Sequence, residues 1–146
     1  IHAGEAAGAE SVECALNFQA KRIGHGIRCI ENPLVMQELA DRGVVLELCP
    51  TSNLNTKIYE TIGDYPIQQL MNKGIRVTVN TDNMMVSDTT EARELALVAD
   101  IFNMEKKDVK QLIMNGVEAA FATEVIKNRL RARVETQFAK VAGIRG

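Results

Sequence analysis

No tryptophan, two histidines and three cysteines occur among these 146 residues. Cys14, Cys29 and Cys49 form no Cys-x-x-Cys pair, and their odd number argues against a disulfide framework or an all-cysteine zinc site. They read as small apolar residues of a reduced chain, so the expected compartment is cytoplasmic. No apolar run approaches the roughly 18 residues of a membrane span. The formal net charge of -2 marks neither a nucleic-acid nor a membrane binder. The basic stretch Lys127, Arg129, Arg131, Arg133 and Lys140 is spaced largely by two, which does not line one helical face, and Glu124 and Glu135 dilute it. It predicts a solvated helix rather than a nucleic-acid arm. The glycines at 24 and 26 do not continue into Gly-x-Gly-x-x-Gly, which removes a dinucleotide loop.

What remains is an ordinary globular composition, 46% hydrophobic and 25% charged, long enough for one domain over residues 1–146 with a core of its own. Short β-type runs end in polar clusters: Ile1-His2, Arg22 to Gly26, Val44 to Cys49, and Val77 to Asp82. Helical patterns fill the intervals. The first covers Val12 to Gln19. Pro33 opens and Gly43 closes the second, and the same punctuation recurs from Pro66 to Gly74. Asp88, with Glu91 three residues on, is expected to cap a helix through Phe102. Val109, Leu112, Ile113, Val117, Ala120 and Phe121 repeat at helical spacing, and Glu124 to Val141 continues as helix. Strand–helix alternation implies a parallel α/β sheet. Pattern alone leaves a small open doubly wound sheet and half of a (β/α)8 barrel both standing. The polar strand ends favour the barrel, where chemistry gathers at the carboxyl ends of strands.

Both histidines lie at such ends. His2 and Glu5 put an imidazole and a carboxylate three residues apart at a turn, and His25 sits between two glycines. Asn80-Thr81-Asp82-Asn83 closes an apolar strand with a carboxylate that suits either a helix cap or a zinc ion. Cys49-Pro50-Thr51-Ser52-Asn53 reads chiefly as a turn and cap cluster.

In order along the chain, His2-Ala3-Gly4-Glu5, Arg22-Ile23-Gly24-His25-Gly26, Leu48-Cys49-Pro50-Thr51-Ser52-Asn53 and Asn80-Thr81-Asp82 resemble successive signatures of the adenosine deaminases, up to about Phe121. That resemblance implies the carboxyl-terminal half of an amidohydrolase (β/α)8 barrel, its last four β/α units, with extra carboxyl-terminal helices. It implies zinc as cofactor and hydrolytic deamination of adenosine or deoxyadenosine to inosine and ammonia. His2 and Asp82 then correspond to zinc ligands, Glu5 to the acid that protonates purine N1, and His25 to the histidine that orients and helps deprotonate the attacking water. Asn83 stands where the family has a second aspartate facing N7, a departure from the pattern. The family's His-x-His ligand pair is absent from the sequence, and Ile1 opens it within a strand. A truncated chain, inactive alone, is therefore expected to pair with the missing half of the barrel or with itself. AMP or adenine deamination, and a non-catalytic self-associating half-barrel, are the alternatives.

Overall fold

The computed structural model describes residues 1–142. Four parallel strands, β1 (His2–Ala3), β2 (Arg22–His25), β3 (Val45–Leu48) and β4 (Arg76–Val79), pair in chain order β1-β2-β3-β4. A doubly wound sheet reverses its order at a switch point. The unreversed order selects the barrel-type arrangement.

Register separates the two faces of the sheet. Ile23, Leu46 and Val77 lie in one row, and all three are fully buried. One residue on, where side chains point to the opposite face, runs the row His2, Gly24, Glu47 and Thr78. The apolar face forms the core with Val12 and Leu16 of α1 (Ala9–Asn17), Leu39 of α2 (Pro33–Arg42), and Ile67 and Leu70 of α4 (Ile67–Asn72). Each such side chain contributes roughly 1.5–3 kcal/mol when buried. The other face carries His2, Glu47 and Thr78.

Three local readings are corrected. α1 starts at Ala9 rather than Val12, after Gly8 in extended conformation, and ends early because Gln19 turns left-handed at φ +58°. Pro66 caps α4 from outside rather than opening it. Asp88 caps nothing at an amino terminus. It ends the short α5 (Met84–Ser87) at φ +45°, while Thr90 Oγ1 accepts the Arg93 N–H to cap α6 (Glu91–Ile101). Pro33 at the start of α2 and Gly43 at its end, φ +61°, are as the sequence reads.

α7 (Lys106–Ala119) packs on β4, and Asn115 Nδ2 donates to Val77 O at 2.8 Å. The amide of Asn80 donates to Leu48 O, so alternation turns the Val77 carbonyl away from β3, toward the edge of the sheet. Asn115 thus covers one acceptor of an otherwise unpaired strand edge. In α8 (Glu124–Ala142), Arg131 makes a two-pronged bond to the Glu118 carboxylate, 2.6 Å on each arm, and Lys127 donates to Glu118 O. These cations tie α8 to α7 rather than offering a basic face.

Candidate active site

Each chemical group sits at or just past the carboxyl end of a strand. After β1, Gly4 turns at φ +68°; a Cβ there would lie 2.5 Å from Val12 Cγ2 and 2.8 Å from Gly26 Cα. Only glycine lets these two strand ends come so close. Gly26, at φ +70°, is confined in the same way by Leu46 Cδ2 at 2.6 Å, whereas Gly24 has no neighbour nearer than 3.7 Å. Of the two glycines that flank His25, Gly26 is the one the fold demands.

His25 and Asp82 are themselves left-handed, at φ +63° and +55°. That conformation costs a non-glycine residue about 1–3 kcal/mol and collects at functional sites. It persists because neighbours fix both side chains. His25 is 3% exposed; its Nδ1 lies 3.1 Å from Asn53 Nδ2 and its Nε2 3.5 Å from Glu5 Oε2. Glu5 Oε1 accepts from the same Asn53 Nδ2 at 3.2 Å, and Glu5 Oε2 meets His2 Nε2 at 2.9 Å. The His2 and His25 rings are 4.6 Å apart. Asp82 Oδ2 accepts from Ser52 Oγ at 2.8 Å.

The structure therefore brings together His2, Glu5 and His25, whose ligand atoms all lie within 4.8 Å of one another. Asp82 stands outside that trio, joined to it through Ser52 and the adjacent Asn53 on α3 (Pro50–Asn55). Imidazole nitrogen and carboxylate oxygen are donors that zinc takes in catalytic sites; His2 and Asp82 have that chemistry, but Asp82 lies outside the group whose ligand atoms converge. Asn83 caps α5: its Oδ1 accepts from Met85 N and Val86 N, both at 3.1 Å. Its amide nitrogen has no such task among the described residues.

Sequence reasoning missed the support of this site. Ser52 and Asn53 read as turn residues, yet they hold Asp82, His25 and Glu5. Their position just after a strand end was the available signal. Tyr65, which donates to Asn53 Oδ1 at 3.0 Å, and Glu94, which accepts from Thr51 N at 3.0 Å, had none. Burial, reinforced by the nearby Asp82 and Glu5 carboxylates, pushes the Cys49 thiol up to about 12. It is therefore an un-ionised neighbour of the site at neutral pH.

The family profile described as adenosine deaminase matches residues 1–137. An adenosine deaminase of Haemophilus ducreyi is 46% identical over 138 residues, which span 94% of this chain and 40% of that protein. The crystal structure of an adenine deaminase from Arthrobacter aurescens superposes with a TM-score of 0.90 at 28% identity, covering 95% of this chain and 42% of that one. An amidohydrolase from Burkhoderia ambifaria, crystallised with bound zinc, gives a TM-score of 0.87 at 26% identity over 97% of this chain and 40% of its own. The chain thus spans about two fifths of the proteins it matches, and the four strands are half of their (β/α)8 barrel.

Proposed function

The chain belongs to the adenosine deaminase family, and from that premise we propose that the complete protein hydrolytically deaminates adenosine, releasing ammonia and inosine. The observation that carries this reading is the convergence of His2, Glu5 and His25 within 4.8 Å at one rim of the sheet. Water adds at C6 of the purine, the C6–O bond forms, and the C6–N6 bond breaks as N6 takes one water proton and leaves as ammonia, while the other water proton restores the acid spent on N1. The addition pushes electrons toward N1, so a proton must arrive there. Glu5, shielded on one side by His25 and Asn53, is the acid that delivers it. Such general acid catalysis is worth roughly 10²–10⁴-fold.

His25 directs the attacking water from beside Glu5. His2 and Asp82 would contribute two ligands to a zinc ion, and a His-x-His pair from the other half of the barrel would complete the set. When bound, that ion makes a water molecule acidic near neutral pH. Asn83, whose amide nitrogen remains free beside Asp82, donates to N7. An amide donates at any ordinary pH, where a carboxylate in its place must first hold a proton.

The runner-up substrates are adenine and AMP, and likeness to an adenine deaminase structure supports the first of them. The deciding experiment assays the purified complete protein for ammonia release from adenosine, deoxyadenosine, adenine and AMP. Adenosine or deoxyadenosine should be turned over most efficiently, and Glu5→Gln should remove most of that activity. Preference for adenine or AMP shifts the substrate assignment. A zinc-loaded protein inactive on all four leaves the non-catalytic half-barrel reading.

A further inference from the structure

Asn53 is fully buried, and its three polar neighbours dictate how its amide must lie. Tyr65, 2% exposed, approaches Oδ1 with its hydroxyl at 3.0 Å. Burial holds the phenol well above its ordinary pKa, so it keeps its proton and donates it to Asn53 Oδ1. The opposite end of the amide faces Glu5 Oε1 at 3.2 Å, and a carboxylate oxygen there accepts only from the NH2. The amide nitrogen has two protons: one goes to Glu5, and the other points at His25 Nδ1, 3.1 Å away.

A ring nitrogen that accepts this proton offers its lone pair and carries no hydrogen of its own. The neutral His25 ring therefore carries its hydrogen on Nε2, the nitrogen that faces Glu5 Oε2. We infer that Tyr65 is a positioning residue: through the Asn53 amide it fixes the proton of His25 on Nε2, so that His25 presents a hydrogen-bond donor to the reaction site. This rests on the deaminase reading and refines it, for His25 then orients and polarises the oxygen of the attacking water, whose proton passes to the Asp82 carboxylate rather than to Nε2. Without the Tyr65 hydroxyl, Oδ1 has no partner among the described residues, and Glu5 alone is left to hold the amide against turning over. His25 is then freer to move its proton to Nδ1.

The test uses the complete, zinc-loaded protein. Tyr65→Phe removes one oxygen and keeps the ring. Losing a neutral hydrogen bond that acts on the reacting geometry should lower kcat about tenfold, with KM nearly unchanged, counting active sites by titration with a tight-binding transition-state analogue. A purely structural role would lower the number of active sites or the melting temperature and leave kcat per site intact. In an Asn53→Ala background, adding Tyr65→Phe should change kcat no further.

The second readout is independent of turnover. Nitrogen NMR of histidine-labelled protein, with the His25 signals assigned by their loss in His25→Gln, should show a protonated Nε2 and a bare Nδ1. Asn53→Asp, which puts an acceptor opposite Nδ1, should reverse that pattern, and serves if Tyr65→Phe does not fold. A hydrogen on Nδ1 in the unaltered protein, or full kcat per site in Tyr65→Phe, would overturn the inference. Inactivity toward every purine would sink the deaminase reading but leave the NMR result to decide this one.

Discussion

Glu94 and Thr51, forty-three positions apart, meet where α6 reaches the start of α3: Glu94 Oε2 accepts the Thr51 amide N–H at 3.0 Å. Its other oxygen accepts the Thr89 hydroxyl at 2.6 Å, and the carboxylate is 1% exposed. The residue at the cap position of α3 is Cys49, which offers no side-chain cap. Glu94 supplies from another helix the acceptor that the first turn of α3 lacks. That turn carries Ser52 and Asn53, so the bond anchors the frame of the site.

Glu94→Ala should leave the buried Thr89 hydroxyl and the part-buried Thr51 N–H without partners. Each costs about 1–3 kcal/mol, so a loss of roughly 2–6 kcal/mol is expected in urea unfolding of the complete protein. Glu94→Gln keeps the size and one acceptor and should lose less than half as much. Equal losses in the two variants would show that the carboxylate acts through its charge rather than through these two bonds.

Asn83 separates a cap from a substrate contact by its two amide atoms. Asn83→Asp keeps an acceptor for Met85 N and Val86 N but removes the donor, whereas Asn83→Ala removes both. The aspartate variant should preserve stability and weaken turnover of adenosine several-fold, with little effect on 7-deazaadenosine, which lacks N7. The alanine variant should in addition lose about 0.5–2 kcal/mol of stability for the missing cap. Equal kinetic losses on both substrates would assign Asn83 to the backbone alone.

The sheet ends in unpaired edges at β1 and β4, and on its inner side a cavity of about 380 Å³ opens among Arg22, Glu47, Thr78 and Leu112. Exposed strand edges are templates for pairing. The 146-residue chain on its own should therefore self-associate, or pair with the other half of a family barrel when the two are mixed. Light scattering of the chain alone and after mixing checks this. A monodisperse monomer with a cooperative melt would count against it.

If His2 and Asp82 are the ligands, the same chain supplies two and should hold zinc weakly, since catalytic zinc takes three or more protein ligands. Metal analysis after dialysis should find well below one zinc per chain and no useful adenosine turnover. In the complete protein, His2→Ala and Asp82→Ala should each lower the zinc content. Unchanged content in either variant removes that residue from the ligand set.

Burial pushes both the Cys29 and the Cys49 thiols up to about 12, while Cys14 is exposed. Thiolate is the reactive form, so at pH 8 the native chain should give one fast alkylation, at Cys14, and two slow ones that appear on denaturation. Rapid labelling of Cys49 in the folded protein would show that its strand end opens.

Much of this was legible in the residues themselves. The β runs at 22–26, 44–49 and 77–82 and the proline and glycine that bound α2 are local signals: period-two burial, a fixed φ, a left-handed stop. His2, Glu5, His25 and Asp82 were legible as candidates because they fall at strand ends within the family-like motifs; the structure draws the first three together and leaves Asp82 apart. Cap identity was less so. Asp88 and Thr90 are both plausible caps by type, and which one serves depends on where the chain leaves α5.

What only the tertiary structure decided is which partner each polar group finds. Nothing in the sequence joins Tyr65 to Asn53, Glu94 to Thr51, or Asn115 to the Val77 carbonyl, because those pairs are made by strands and helices packing side by side. The sequence by itself determined the elements and the chemical groups they carry, since φ preference, periodicity and capping act within a few residues. The orientation of those groups came from burial, where a polar atom shut away from water must take whichever partner the packed neighbours leave within reach.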